Sequence, residues 1–195
     1  MMYRFVILLM FAAALLCQGA AWADWQDAAD RHADENAAVE DNPAWDDYAF
    51  NLDYADGSGS LTFLDLARTQ KPFVLFFWLT DCPVCHLQMP YVKMFDEAIR
   101  RNDIELKIVA VNLDEDAKEA LEMFKDKNLK FDLLIDPRAR RTDKTYDLRE
   151  TGTPVAFVFD SAGMMVKSLD GFHSDLGYQV LTLLEMEIPD ELKKK

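Results

Sequence analysis

The sequence holds few cysteines, three in 195 residues, at positions 17, 82 and 85. That excludes the disulfide-dense framework of a small secreted scaffold. It also excludes a four-ligand zinc site, because no second pair stands at a suitable spacing from Cys82 and Cys85. Glycine is sparse, at seven, and none belongs to a glycine-rich loop able to cradle phosphate. No Ser-His-Asp arrangement stands out, and histidine occurs three times, at His32, His86 and His173. Positive charge is short as well. Twenty-one Lys and Arg stand against 35 Asp and Glu, a formal net charge of −14, and only Arg138, Arg140 and Arg141 cluster. This argues against a nucleic-acid partner. Acidity of this size favours solubility and neutral or basic partners. The arginine group reads as a solvated loop that has the charge to dock an acidic partner.

Half the residues are hydrophobic, enough for one core. The first apolar run is set apart from it. Met1–Arg4 is a short positive lead, Phe5–Leu16 an apolar stretch, and Ala21-Trp22-Ala23 has the small-x-small form of a signal-peptidase site. Residues 1–23 are therefore expected to be a signal peptide, with a mature start at Asp24. The stretch is short for a membrane span, which needs about 20 residues, so an uncleaved anchor is the lesser reading. Leu16 before Cys17 is too large for a lipoprotein signal, so Cys17 leaves with the leader. Two cysteines remain, and they form one Cys-x-x-Cys. A crosslink over so short a loop gains little from chain entropy, which makes the pair better explained as reactive than as a staple.

The run Phe73-Val74-Leu75-Phe76-Phe77-Trp78 is uncharged, aromatic and β-branched, and reads as a buried strand. Pro83 suits the first turn of a helix, where its missing N–H has no partner anyway. Cys82 and Cys85 thus sit where a buried strand ends and a helix starts. A helix N-terminus favours negative charge and lowers a thiol's pKa, which makes a thiolate available. Cys82, coming first, is expected to be the exposed sulfur.

Residues 24–49 form an acidic, alanine-rich extension, expected to be loosely attached up to about Asn42-Pro43. Residues 50–190 carry the folded domain, and 191–195 a basic tail. Phe50–Leu52 and Leu61–Phe63 read as short strands around the turn Asp56-Gly57-Ser58-Gly59-Ser60. Leu64–Arg68 reads as a single helical turn. Pro83 to Arg101 reads as a helix with Leu87, Tyr91, Met94, Phe95 and Ala98 on its inward face, kinked at Pro90. Leu106–Leu113, Phe131–Ile135, Val155–Phe159 and Met164–Leu169 read as strands. Asp114–Lys127, Arg141–Tyr146 and Ser174–Met186 read as helices. Strands alternating with helices, closed by a hairpin and a helix, predict an α/β sheet with helices on both faces.

Several of these features together resemble the thioredoxin-like fold. Cys-x-x-Cys stands at a strand-to-helix junction with Phe77-Trp78 before it, and Pro90 lies five residues after Cys85. Gly152-Thr153-Pro154-Val155 resembles the family's cis-proline loop. Phe157 to Gly163 resembles its terminal hairpin. Val109 to Asp116, Leu133 to Pro137 and Tyr146-Asp147-Leu148 resemble the insertion of the TlpA/ResA type, exported or membrane-anchored bacterial thioredoxin-like proteins. The resemblance covers roughly residues 50–187. It implies a mixed central sheet flanked by helices, an exported thiol-disulfide oxidoreductase, and a reductive role in the cell envelope, for example in cytochrome c maturation. It also implies disulfide-containing protein substrates, a membrane-bound thiol electron donor, a monomer, and no cofactor or metal.

In that reading Cys82 and Cys85 are catalytic, and Thr153, Pro154 and Trp78 meet substrate. Asp81, Pro83, Val84 and His86 tune the pair. Five positions depart from the family. Asp81 replaces the usual Trp, Phe76 stands where thioredoxins carry a buried Asp, the dipeptide is Pro83-Val84, and His86 replaces Lys or Arg. A carboxylate at Asp81 is expected either to oppose the helix dipole and make the pair more reducing or to point into solvent and do little, and His86 either to donate to a thiolate or act as a cation or to be simply an exposed helix side chain. Two other classes compete. A Sco-like copper chaperone would use Cys82, Cys85 and His173, with Met89 and Met94 as soft ligands. A redox adaptor would bind its partner through the acidic extension.

Overall fold

The computed structural model describes residues 41–193. The expected signal peptide, Cys17, His32, the extension up to residue 40 and the last two lysines lie outside the described residues.

Seven strands form one mixed sheet, β1 Asn51–Tyr54, β2 Ser60–Thr62, β3 Phe73–Trp78, β4 Lys107–Asn112, β5 Asp132–Ile135, β6 Val155–Phe159 and β7 Met165–Asp170, in the order β2-β1-β5-β4-β3-β6-β7. β3 runs parallel to β4, and β4 to β5, whereas β6 and β7 return antiparallel on the other side. The helices are α1 Phe63–Ala67, α2 Pro83–Arg101, α3 Lys118–Asp126, α4 Asp143–Tyr146, α5 Leu148–Thr151 and α6 Leu176–Leu183. This is the thioredoxin-like α/β arrangement that the resemblance implied. Among the described residues, no helix is long and apolar enough to cross a membrane.

β3 is buried along its whole length because both faces of the sheet are covered. Its alternate residues serve different cores. Val74, Phe76 and Trp78 join Cys85, Met89, Val92 and Phe95 of α2, Phe124 of α3 and Val180 of α6. Phe73 faces the other way and stacks on Phe159 with ring centroids 4.7 Å apart, and Phe63 meets both edge-on. Phe77 meets Tyr146 and Phe157 on that same side. The Tyr146 hydroxyl donates to the backbone carbonyl of Tyr48 at 2.9 Å, and burial pushes its pKa well above the usual phenol range.

The end of the 24–49 extension, beyond the stretch expected to be loosely attached, is fastened to the domain. Pro43–Tyr48 is a 3-10 helix capped by the Asn42 side chain, and Trp45 is buried. Its Nε1 donates to Ala162 O at 2.8 Å, at the turn between β6 and β7. Gly163 holds φ +72° there, and a Cβ on it would lie 2.7 Å from Trp45 Nε1. The turn therefore needs glycine twice over, for its backbone and for the indole above it.

The long helix also differs from expectation. Its boundaries, Pro83–Arg101, match. Its inward face does not. Cys85, Gln88, Met89, Val92, Phe95, Asp96, Ala98 and Ile99 are buried, while Leu87 and Met94 are exposed and Tyr91 half-buried. Apolar residues occupy a sector too wide for one packing face. The sheet and α6 select the Cys85–Met89–Val92 side of it.

Candidate functional site

Where β3 ends, Leu79, Thr80 and Asp81 turn the chain into α2. Cys82 caps that helix, with its Sγ accepting from Cys85 N–H at 3.1 Å, and Pro83 opens the first turn. Cys82 and Cys85 are joined as a disulfide. The two sulfurs are unequal. Cys85 is 1% exposed and sits among the apolar side chains beneath the sheet's carboxyl edge, whereas Cys82 is half-buried at the surface. Only Cys82 is open to a partner.

The Thr153–Pro154 peptide is cis, and Thr153 O lies 3.6 Å from Cys82 Sγ. The cis-proline loop thus stands against the first cysteine, across 71 residues of sequence. It is fixed in turn by the loop after β7, where Gly171 N–H donates to Pro154 O at 2.8 Å. That loop is fastened to α2. Gln88, buried on the core face, accepts from His173 N–H at 2.6 Å and donates to His173 O at 3.1 Å. Nothing about Gln88 in the sequence marked it, since its partners are backbone groups 85 residues away.

The turn before Cys82 is held just as firmly. Thr80 N–H donates to the Asp114 carboxylate at 3.3 Å, and its hydroxyl to Glu119 at 3.3 Å. His86 Nε2 approaches Thr80 O at 2.5 Å. A carbonyl oxygen only accepts, so Nε2 carries the proton in this contact. The expectation that His86 donates to a thiolate is corrected by this geometry, because that N–H is directed at the backbone. Asp114 belongs to the loop between β4 and α3, where Asp114 N–H also donates to Asn112 Oδ1 at 3.2 Å. Glu115, next to it, is paired with Arg138 and lies 3.6 Å from Arg140. Arg141 pairs with Asp53 at 3.3 Å. The arginine group is therefore engaged within the chain, Arg138 and Arg140 at the loop that holds Thr80 and Arg141 at β1.

Three further expectations meet the geometry differently. Trp78 is 1% exposed and lies against Phe124, with ring centroids 6.0 Å apart. It is a core residue beneath the site, and its side chain has no surface to offer a substrate. Its Nε1 is buried without a hydrogen-bond partner among the described residues. Asp81, Pro83 and Val84 are exposed around the cysteines. His173 does not complete a copper triad. Its ring nitrogens face Asp170 O and the Gln179 amide, each at 3.1 Å, and no group of three His, Cys, Asp or Glu able to hold a metal occurs among the described residues. Met89 is buried in the core.

Comparison with known proteins agrees with this geometry. The family model described as Redoxin matches residues 43–174. Among solved structures, a secreted Mycobacterium tuberculosis disulfide oxidoreductase homologous to E. coli DsbE superposes with a TM-score of 0.59 at 18% identity, over 70% of this chain and 98% of that one. A Chlorobium tepidum protein described as a putative thiol:disulfide interchange protein DsbE gives 0.59 at 24% identity, over 70% and 93%. StoA from Bacillus subtilis gives 0.55 at 20% identity, over 69% and 95%. At these identities the superpositions establish the shared fold. No curated protein sequence matches the chain.

Proposed function

The chain belongs to the Redoxin family and is an oxidoreductase, and on that premise we propose that it reduces disulfides of partner proteins in the cell envelope. The observation that carries this reading is the unequal sulfur pair at the head of α2, with one sulfur open beside Thr153 and the other buried behind it. In the reduced protein, the Cys82 thiolate attacks one sulfur of the partner's disulfide. That S–S bond breaks, a partner thiolate leaves, and a mixed disulfide forms. Cys85, having given up its proton, then attacks Cys82 Sγ and releases the second partner thiolate. Two electrons have passed to the partner, and Cys82–Cys85 is left as the disulfide. Thr153, half-buried beside Cys82, lines the approach with Pro154 buried behind it, and the Thr153 backbone offers polar groups to an extended partner segment.

Export rests on the apolar leader in the sequence. A membrane-bound thiol donor would restore the dithiol, and cytochrome c maturation is the process that the resemblance suggests. The deciding measurement is the reduction potential of the Cys82–Cys85 pair in dithiol buffers. A value near or below about −270 mV marks a reductant. One near about −120 mV marks an oxidant and reverses the proposed direction.

A further inference from the structure

Five large hydrophobic side chains are exposed among the described residues, and four of them gather on or beside one flank of α2. Val84 is 40% exposed, Leu87 62% and Met94 41%, and half-buried Tyr91 lies between the last two. Phe172, 44% exposed, comes from the loop after β7 and meets Tyr91 edge-on, ring centroids 5.4 Å apart. The fifth, Val166, is on β7. Exposed apolar residues scattered singly need no explanation, but a contiguous group does.

The spacing of this group is informative. Positions 84, 87, 91 and 94 follow a 3-4-3 pattern, the seam by which one helix receives another. They extend about 15 Å along α2 at about 1.5 Å per residue. The next seam position is Ala98, and it is buried. The chain's own C-terminal segment meets α2 through a short 3-10 helix, Asp190–Leu192, and its Leu192 joins the same core as Phe95 and Ala98. Glu191 anchors that segment by accepting from Arg101 and Asn102, each at 3.1 Å. The C-terminal end of α2 therefore already has a short helical segment with a buried leucine against it. The end nearer the cysteines leaves Val84 and Leu87 exposed. Between them is a cleft of about 420 Å³ bordered by Tyr91, Met94, Ser174, Gly177 and Leu192.

We propose that the flank formed by Val84, Leu87, Tyr91 and Met94, walled by Phe172, docks an amphipathic helix, leucine-bearing on one side and flanked by Lys or Arg, of the protein whose disulfide reaches Cys82. This assignment rests on the oxidoreductase reading for the identity of the occupant. Continuity argues for it, since Val84 lies between the two cysteines and a partner sulfur at Cys82 brings its own chain over the upper end of the flank. The 3-4-3 seam argues for a helix, laid in as in other helix-in-groove complexes. Charge argues for basic flanks. Asp81 and Asp170 are exposed around the flank, while Glu191 and the lysine lining the cleft, Lys193, are already engaged, by Arg101 and by Asp190.

The test uses a labelled, cysteine-free, 18-residue helical peptide with leucines at 3-4-3 spacing and lysines at both ends. Binding to the oxidised protein is followed by fluorescence anisotropy, beside a serine-for-leucine peptide of equal charge. The leucine peptide is expected to bind and the serine peptide not. Leu87→Glu and Met94→Glu are each expected to weaken binding about tenfold or more, and Leu87→Ala by less. Val166→Glu should leave it unchanged. All three substituted side chains already face solvent, and circular dichroism checks that each variant folds. Equal binding of the two peptides, or binding untouched by Leu87→Glu, overturns the assignment. So does adhesion of the flank to phosphatidylcholine–phosphatidylglycerol vesicles in place of the peptide, or a dimer that Leu87→Glu dissolves. The two readings fail separately. A peptide that does not bind overturns the docking flank and leaves disulfide exchange standing. A wild-type protein that exchanges no disulfide overturns the oxidoreductase reading, while Leu87-dependent binding still supports the flank.

Discussion

The two sides of α2 carry residues of the same kinds and do opposite work. On the inner side Cys85, Met89, Val92 and Phe95 vanish into the core, and even a glutamine is taken in. On the flank Leu87 and Met94, no less apolar, stay in water. Hydrophobicity does not separate the two sets; the presence of a partner does. The inner side has the sheet and α6 against it. Among the described residues, the C-terminal 3-10 helix meets α2, and Phe172 stands edge-on to Tyr91 on the flank, which leaves Leu87 and Met94 exposed. Burial on this helix is thus a property of its neighbours, and the reactive cysteines straddle the boundary, one sulfur on each side.

That contrast can be broken at graded cost. The largest effect belongs to the sulfurs. Cys82→Ser and Cys85→Ser are each expected to bring turnover of a protein disulfide, followed by the precipitation of reduced insulin, down to the uncatalysed rate. Only the Cys85 variant should still trap a stable mixed disulfide, visible on a non-reducing gel, because Cys82 is the open sulfur. Next comes the core. Phe95→Ala, at a residue with no exposure, is expected to cost about 3–5 kcal/mol in urea unfolding. Gly177→Ala attacks the same contact from α6, since an added Cβ would lie 2.7 Å from the Phe95 ring, and it is expected to cost about 1–3 kcal/mol. Gln88→Ala unties the loop that carries His173 and is expected to cost about 1–3 kcal/mol, with slower exchange. On the flank, Leu87→Ser and Met94→Ser should lie within about 0.5 kcal/mol of wild type. If Leu87→Ser costs as much as Gln88→Ala, the flank is part of the core and the contrast fails. The smallest expected effect is at Asp81. Asp81→Asn should lower the pH at which Cys82 ionises in the reduced protein, read from thiolate absorbance, because a nearby negative charge has been removed. An unchanged titration would mean that Asp81 acts only on solvent.

What was legible in the sequence follows the same divide. β3 and the limits of α2 were readable because their signals are local, a run of six apolar residues and a proline at the first helical turn. The cysteine pair and the Thr153–Pro154 loop were readable from short motifs. The orientation of α2 was not, because its apolar residues span two adjacent sectors and helical periodicity alone cannot say which one finds a neighbour. Trp78 was misjudged for a related reason. It ends a strand beside the site, and only the position of Phe124 on α3 shows that it turns inward. The ties of Thr80 to Asp114 and Glu119 and of Gln88 to His173 link residues 34 to 85 positions apart, where no local pattern exists. Pro43–Tyr48 looked like the end of an acidic tail because one buried tryptophan is a faint signal among four acidic neighbours.

The fastening of the site by distant segments has a consequence for the order in which the molecule comes into being. Synthesis runs from the N-terminus, so Cys82 and Cys85 emerge together and well ahead of Thr153, Gly171 and His173. A nascent chain halted before residue 153 carries both thiols with no proline loop beside the first and no tether on Gln88. Such a chain has its reactive pair and lacks the surroundings that single out one sulfur for outside partners. Chemical selectivity is therefore acquired late, with the last quarter of the polypeptide, and a truncated product would be a reactive dithiol without discrimination.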